Sequence, residues 1–239
     1  MVAPFFVTSF NVLRDIITQT VSESLKHFEN ESGSVLYSSP ATLKLGSLYI
    51  IGLNPGGDPS THPISVKESL VTAFDRPSEK YSPYVDEFWR ANGTYSRHQK
   101  NVQSLAKICG KDIQDIFSAN FIFVRSIGTA GIKDRIFDLA TACWPVHKLF
   151  LSIVRPKLIL CLGNGNGISS FSLLLDKAGI ERSAVRYVDQ SQSFRHGKYC
   201  NAEVSLGPND KLKCTILGLP HPSWYGISKE LAAFIESAK

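Results

Sequence analysis

Short apolar segments recur along the chain, and they have the length and composition of buried β-strands. The four clearest are Ser47–Leu53, Phe117–Val124, Pro156–Leu162 and Lys213–Leu219. Each is followed by a glycine, a proline or a polar residue. A further segment, Tyr199–Leu206, is predicted to form an extra strand, and a turn at Gly207-Pro-Asn-Asp210 would join it to the last one.

Hydrophobic positions at helical spacing mark the segments around these strands. The predicted helices are Ser9–Glu29, Ser96–Ile108, Phe137–Val154, Ile168–Lys177 and Ser228–Ser237. Because strands and helices alternate, the pattern predicts a largely parallel sheet covered on both faces. A length of 239 residues without an internal repeat or a linker favours one domain. We therefore expect a single three-layer α/β/α domain over residues 1–239, with a central, mostly parallel sheet of about four strands.

Polar and glycine-rich features accompany the predicted strands. Three strands run into unusual loops, Gly52–Pro59, Gly163–Gly167 and Pro220–Tyr225, and the remaining one carries Asn120 among apolar residues. In such sheets, ligands bind outside the carboxyl ends of the strands. The pattern therefore predicts one site at one edge of the sheet.

His221 lies between Pro220 and Pro222, directly after a predicted buried strand. Proline fixes its own φ and restricts the residue before it, so the backbone at this histidine is stiff. A stiff support suits a side chain that stabilises charge, because catalysis is lost with small displacements. The alternative is a histidine that only fills a turn.

Two asparagines are further candidates. Asn120 must find partners inside an apolar strand or cost about 1–3 kcal/mol. Its carboxamide matches the O4 and N3–H edge of uracil, whereas the alternative is a bond to a neighbouring loop. Asn54, in Gly52-Leu-Asn-Pro-Gly56, can orient a water but cannot accept a proton at neutral pH. That segment is also an ordinary turn sequence.

The glycine-rich loop Gly163–Gly167 does not fit the dinucleotide-binding template, because the third glycine would fall at Ile168 or at Ser170. We interpret it as a turn at a helix start. Its N–H groups, together with Ser169 and Ser170, would face a phosphate.

Composition narrows the chemistry. The five cysteines form no CxxC pair and no cluster at metal-ligand spacing, so we expect no metal and no other cofactor. A net charge of +5 permits a polyanionic partner. The apolar runs are too short to span a membrane, and Met1–Val7 lacks the basic region and cleavage site of a signal peptide. We expect an intracellular monomer, cytoplasmic or nuclear.

These motifs, in this order, resemble those of the uracil-DNA glycosylase superfamily. Gly52-Leu-Asn-Pro-Gly56 is similar to the first motif of the mismatch-specific and single-strand-selective branches, and His221-Pro-Ser223 to the last motif of the single-strand-selective and classical branches. Asn120 and the stretch 143–163 also resemble that family. The resemblance covers about residues 47–225, and the segment 59–97 is unmatched.

Such enzymes flip a nucleotide out of the DNA stack and cleave the bond between base and sugar. The resemblance implies that His221 stabilises charge on O2 of the departing uracil and that Asn120 reads the uracil edge and rejects cytosine. Asn54 would position the attacking water. Another branch has an aspartate there, so a slow enzyme is expected. The neighbours of Asn54 that would also contact the substrate are Gly52, Leu53, Pro55 and Gly56.

The resemblance also implies contacts outside the base pocket. Ser223 and the loop at Gly163 and Asn164 would contact phosphates, and Trp224 and Tyr225 stand where the family has a loop that wedges into the duplex. The aromatic residue that stacks on the base is one of four, with Phe88 as the candidate for substrate binding. The four are Phe74, Tyr84, Phe88 and Trp89.

We therefore expect a DNA glycosylase of base excision repair that removes uracil or a related damaged base. Its partner would be DNA containing a flipped base. The alternatives are a non-catalytic protein on the same fold that binds a base or nucleic acid, and an unrelated doubly wound enzyme that acts on a small nucleotide.

Overall fold

Six strands form the central sheet in the part of the chain that the structure describes. The structure, a computed structural model, describes residues 4–46, 48–76 and 79–238. The strands are Leu48–Gly52 (β1), Phe117–Asn120 (β2), Leu158–Leu162 (β3), Arg186–Tyr187 (β4), Lys198–Gly207 (β5) and Asp210–Leu219 (β6). Their order is β2-β1-β3-β6-β5-β4. The first four in this order are parallel, and β5 and β4 are antiparallel to their neighbours.

This sheet confirms the predicted fold class. Each of the four clearest apolar segments forms one of the parallel strands, and a turn at Pro208 and Asn209 joins β5 to β6 as predicted. Ser47, at which the first predicted strand begins, lies outside the described residues. The two residues of β4 are exposed. They carry no apolar pattern, and the sequence gives no indication of this strand.

Seven helices flank the sheet within the described ranges. They are Pro4–Ser24 (α1), Val66–Phe74 (α2), Pro83–Asp86 (α3), Arg97–Ile108 (α4), Ile136–Val154 (α5), Ser170–Ala178 (α6) and Lys229–Ala238 (α7). Five of them match the predicted helices, although α1 begins and ends about five residues earlier than the pattern indicates. The other two, α2 and α3, lie in the segment without clear periodicity. A capping box between Ser65 and Glu68 starts α2.

Alternating side chains of β1 separate two cores. Tyr49 and Ile51 pack in the core that α1, α2, α5 and α6 cover. Leu48 and Ile50 pack in the core on the opposite face, which α3, α4 and α7 cover. This arrangement produces the three layers.

One helical stretch, Thr129–Val154, is long and apolar enough to cross a membrane by length and composition, with a mean hydropathy of 1.2. It contains α5, whose residues Leu139, Cys143 and Phe150 are buried in the core beneath the sheet. A core helix passes the same test, so this stretch is weak evidence for a membrane segment.

The second strand ends at Asn120 rather than at Val124 as its apolar pattern indicates. The chain then follows the loop after β1. The Phe121 N–H donates to the Gly52 carbonyl at 2.9 Å, and the Ile122 N–H donates to the Leu53 carbonyl at 2.8 Å. The segments that carry Asn120 and Asn54 are therefore tied together.

The buried His147 of α5 supports this junction. Its Nε2 lies 3.0 Å from the Phe121 carbonyl, and its Nδ1 lies 2.8 Å from the Tyr49 hydroxyl. Burial lowers the pKa of His147 to about 4. Because an unfolded histidine titrates near pH ~6.5, the folded state binds fewer protons than the unfolded state between these values.

The contribution of His147 to stability should therefore be complete above pH ~6.5 and disappear as the pH falls toward ~4. At ~1.36 kcal/mol per pKa unit, this residue accounts for a decrease of about 3 kcal/mol in the free energy of unfolding on acidification. We expect His147→Phe to be less stable than the wild type at neutral pH and to approach it in acid, as measured by urea denaturation across this range. A difference that stays constant with pH would contradict the assignment.

Candidate functional site

The Asn54 side chain is fixed by its own loop. Its Nδ2 donates to Ser126 Oγ at 2.9 Å and to the Pro55 carbonyl at 3.0 Å. The Ser126 hydroxyl donates its proton to the Gly128 carbonyl at 2.7 Å, so it accepts from Asn54. This orientation leaves Oδ1 of Asn54 as the atom that can accept a hydrogen bond from a water.

The other residues of the first motif form the turn itself. Leu53 is partly buried and Pro55 is buried, and their carbonyls accept the backbone N–H groups of Ile122 and Ser126 in the segment after β2. Gly56 is exposed and lines a neighbouring cleft. A Cβ on Gly52 would lie 2.1 Å from Oδ1 of Asn120, so a larger residue at that position would displace the Asn120 amide.

Asn120 carries a buried donor without an acceptor. The residue is 4% exposed, and within the described part of the chain its Nδ2 makes no hydrogen bond. Leaving such a group unsatisfied costs about 1–3 kcal/mol. A ligand that supplies an acceptor at this point would remove the cost.

Tyr37 joins Asn120 to the cleft. The Tyr37 N–H donates to the Ser118 carbonyl at 2.9 Å, and the Ser118 hydroxyl donates to the Tyr37 carbonyl at 2.6 Å. Burial raises the pKa of Tyr37 to about 12, and the charge of Arg125 and the amide of Asn120 oppose this rise. The Asn120 amide therefore lies near the Tyr37 hydroxyl, but without the geometry of a hydrogen bond. The sequence patterns did not indicate Tyr37, because it lies in an irregular segment.

The ring of His221 is oriented as a hydrogen-bond donor. Its Nδ1 accepts the backbone N–H of Ser223 at 3.2 Å. The proton of the neutral ring is therefore on Nε2. Although the residue is exposed, desolvation by the surrounding groups lowers its pKa below the ordinary value. The His221 carbonyl closes the turn by accepting the N–H groups of Trp224 and Tyr225 at 3.0 and 3.1 Å.

Two residues of α4 hold this loop. Asn101 Nδ2 donates to the Pro222 carbonyl at 2.6 Å. His98 Nδ1 lies 3.3 Å from Ser223 Oγ, and its ring meets that of His221 edge to face at 5.5 Å. Burial, and then the charge of His221, lower the pKa of His98 to about 4. Helical spacing places Asn101 and His98 on one side of α4, but nothing in the sequence indicates the loop that they contact.

Asn120 and His221 lie on the same face of the sheet. Ala119 packs in the core with α5, so Asn120 points to the opposite face. Leu219 packs in the core with α4, and the His221 ring lies 5.5 Å from the ring of His98 in α4, so His221 is on that same side. The strands β1 and β3 stand between theirs, so the two strand ends are about 14 Å apart.

A cleft of about 800 Å³ opens beside this edge. Its walls come from segments 33–40, 56–64, 69–76 and 79–89 and from Arg125. Asn120 and His221 do not line it directly. Two residues that line the cleft connect it to them. Tyr37 lies near the Asn120 amide. The Trp89 ring lies 5.6 Å from that of His98, which in turn contacts the ring of His221.

Two of the four candidate stacking residues line the cleft. Phe88 is 58% exposed and Trp89 is 39% exposed. The Trp89 Nε1–H donates to the Glu87 carboxylate at 3.1 Å. Phe74 and Tyr84 are buried in the two cores, so neither can stack on a base.

The glycine loop after β3 lies next to His221. A Cβ on Gly163 would lie 4.0 Å from Cδ2 of His221. Asn164 is 3% exposed, and its Nδ2 donates to the Gly218 carbonyl at 3.2 Å. Ser169 accepts the Ser172 N–H and so caps α6. A phosphate contact at this loop would therefore come from the backbone rather than from these two side chains.

The residues after His221 take different positions. Trp224 is 71% exposed, which suits the wedge predicted for it. The Tyr225 ring lies 5.6 Å from the Arg195 guanidinium. The Ser223 hydroxyl is near His98.

Within the described residues, no group of three or more histidine, cysteine, aspartate or glutamate side chains could hold a metal ion. No protein-family model matches the sequence, and no curated protein matches it.

Proposed function

We propose that this protein is a DNA glycosylase that removes uracil or a related damaged base by hydrolysing the N-glycosidic bond. One observation carries the proposal. At one edge of the sheet, the unpartnered amide donor of Asn120 shares a face with the proline-flanked imidazole of His221, whose proton is on Nε2. These are the two kinds of donor that a carbonyl-bearing base requires.

His221 would act on the departing base. When the bond between base and sugar breaks, the electron pair goes to the base, and negative charge develops on O2 of uracil. A neutral imidazole that donates from Nε2 stabilises this charge, and a fixed donor of this kind contributes about 10²–10³-fold in rate. The lowered pKa of His221 keeps the ring neutral at physiological pH.

Asn120 would select the base. Its Nδ2–H matches O4 of uracil, and its Oδ1 matches N3–H. Cytosine presents an amino group and an unprotonated N3 at these positions, so donors would face donors and acceptors would face acceptors. A site that hydrogen-bonds the uracil edge should reject cytosine strongly, because the buried polar groups of the site are left unpaired when cytosine is bound.

Asn54 would hold the attacking water through Oδ1. The water adds to C1′ of the sugar, and its proton passes to solvent or to the departing base. Because an amide is not a base at neutral pH, the rate lacks a general-base contribution of about 10²–10⁴-fold. Trp89 is the cleft aromatic that is connected to His221 through His98, so it is a second candidate beside Phe88 to stack on the excised base.

The test is release of the base. Single- and double-stranded oligonucleotides with one uracil are incubated with the protein, treated with hot alkali and examined for strand cleavage, and free uracil is identified by mass spectrometry. We expect cleavage at uracil and none in the same strand with thymine. The absence of cleavage and of free base in both substrates would refute the proposed reaction.

The second candidate function is non-catalytic recognition of a base on the same fold. The observation that favours it is the amide at position 54, with its Nδ2 tied to Ser126, where a general base would be expected in an efficient enzyme. Specific binding of the uracil strand without release of the base would support this candidate.

Loosening the support of His221 is expected to slow the reaction. Asn101→Ala removes the hydrogen bonds to the Pro222 and Tyr225 carbonyls, and displacements of about 1 Å can cost about 10²-fold in rate. We expect the single-turnover rate to fall about tenfold or more, with little change in the affinity for the strand. The matched control is Gln103→Ala, which removes a bond from the same helix to the Tyr84 carbonyl. Equal losses in both variants would contradict the role of Asn101.

A further inference from the structure

Arg125 is a cation in the cleft that is not paired with a carboxylate of the described residues. It lines the cleft, its buried Nε has no hydrogen-bond partner, and within the described ranges it forms no ion pair. Its Nη1 donates to the Gly56 carbonyl. An unpaired and partly buried charge is unfavourable, and an anionic ligand would remove that cost.

The backbone next to Arg125 allows close approach. Gly57 has φ of +104°, a left-handed conformation that favours glycine. A Cβ on Gly57 would lie 3.5 Å from Nη1 of Arg125 and 3.3 Å from Cε1 of His62. The Arg125 guanidinium thus flanks a bare glycine turn, which leaves room for the oxygens of a phosphate, whereas Nδ1 of His62 is already bound to Thr61 and to the Asp58 carbonyl.

Phe88 offers a flat apolar surface in the same cleft. It is the more exposed of the two cleft aromatics discussed above, and the Tyr95 ring supports it at a centroid distance of 5.1 Å. An aromatic platform beside a positive charge is the usual means of binding single-stranded nucleic acid. A volume of about 800 Å³ also lies in the upper part of the range for ligand sites, well above the needs of one pyrimidine.

We propose that this cleft binds a second nucleotide of single-stranded DNA, the neighbour of the one whose base is removed, with its phosphate on Arg125 and its base on Phe88. The choice of DNA rests on the proposed function. The inference goes beyond that function by assigning a path for the strand and a preference for single strands. With Phe88 assigned to the second nucleotide, Trp89 is the residue that would stack on the excised base.

The test uses the full chain and a fluorescein-labelled oligothymidylate without uracil, with anisotropy measured across a range of salt concentrations. We expect Arg125→Ala to weaken binding about tenfold and to lower the salt slope by about 0.7–1. Arg125→Lys should retain most of the affinity because it keeps the charge. Phe88→Ala should weaken binding about tenfold. The matched control is Arg76→Ala, because Arg76 lines the same cleft but pairs with Glu79 at 3.9 Å, and we expect a change below about twofold.

Equal losses in Arg125→Ala and Arg76→Ala, or unchanged binding in Phe88→Ala, would overturn the proposal. Equal affinity for thymidine 5′-monophosphate would also overturn it, since the occupant would then be a free nucleotide. Because the oligonucleotide contains no uracil, this outcome is separate from base release. If the protein releases uracil but fails this binding test, only the second nucleotide site is refuted. If it passes the binding test without releasing uracil, only the proposed reaction is refuted.

Discussion

Replacing His221 with alanine is expected to lower the single-turnover rate of uracil release by about 10²–10³-fold, with affinity for the DNA changed far less. The loss falls on the rate because the donor to O2 acts where charge develops, in the transition state. The matched control is His27→Ala, since His27 is exposed and follows α1. A loss that appears in affinity rather than in rate would assign His221 to binding.

The pH dependence of the wild type tests the same role. The pKa of His221 lies below its ordinary value, and the proposed form of the ring is neutral. The rate should therefore stay level above that pKa and fall as the solution becomes more acidic. A rate that rises on acidification would indicate that a charged imidazolium stabilises the departing base.

Replacing Asn120 with leucine is expected to abolish selection of the base without destabilising the fold. Its Nδ2 has no partner in the described part of the protein, so the side chain contributes little to stability. We expect uracil release to fall about 100-fold, since both hydrogen bonds to the base edge are lost, while the free energy of unfolding stays constant or rises by about 1 kcal/mol. Single-turnover kinetics and urea denaturation measure the two effects.

Asn164→Leu is the matched control for stability. Asn164 is buried to a similar degree, but its Nδ2 is satisfied by the Gly218 carbonyl. This variant should lose about 1–3 kcal/mol because that carbonyl is left without the bond. If Asn120→Leu loses as much stability as Asn164→Leu, the Asn120 amide has a structural partner, and its functional role is contradicted.

The sheet was predictable because its strands are buried on both faces, and such strands appear in sequence as continuous apolar segments. This is true of β1 and β3, in which every residue is buried. It is not true of β4, whose two exposed residues are positioned only by pairing with β5. Helices α2 and α3 were missed because local capping and tertiary contacts, rather than a long apolar period, define them.

The candidate site was predictable where a residue follows a strand directly. His221 is predicted at this edge because it follows the last parallel strand, whereas Asn120 is predicted inside its strand and reaches the edge because β2 ends there, four residues before Val124. The other residues near that edge depend on long-range contacts. Tyr37 and Arg125 come from irregular segments, and His98 and Asn101 come from one face of α4. The spacing of residues along the sequence does not predict such contacts.

Contact of one base with both Asn120 and His221 can be measured by NMR. The protein is titrated with a single strand that contains 2′-fluoro-2′-deoxyuridine, in which the fluorine disfavours cleavage, and the side-chain ¹⁵N resonances of the two residues are followed by NMR. We predict that the Asn120 amide and the His221 ring shift together, over the same range of concentration. Saturation of the protein with this strand while both resonances remain unchanged would show that neither residue binds the base.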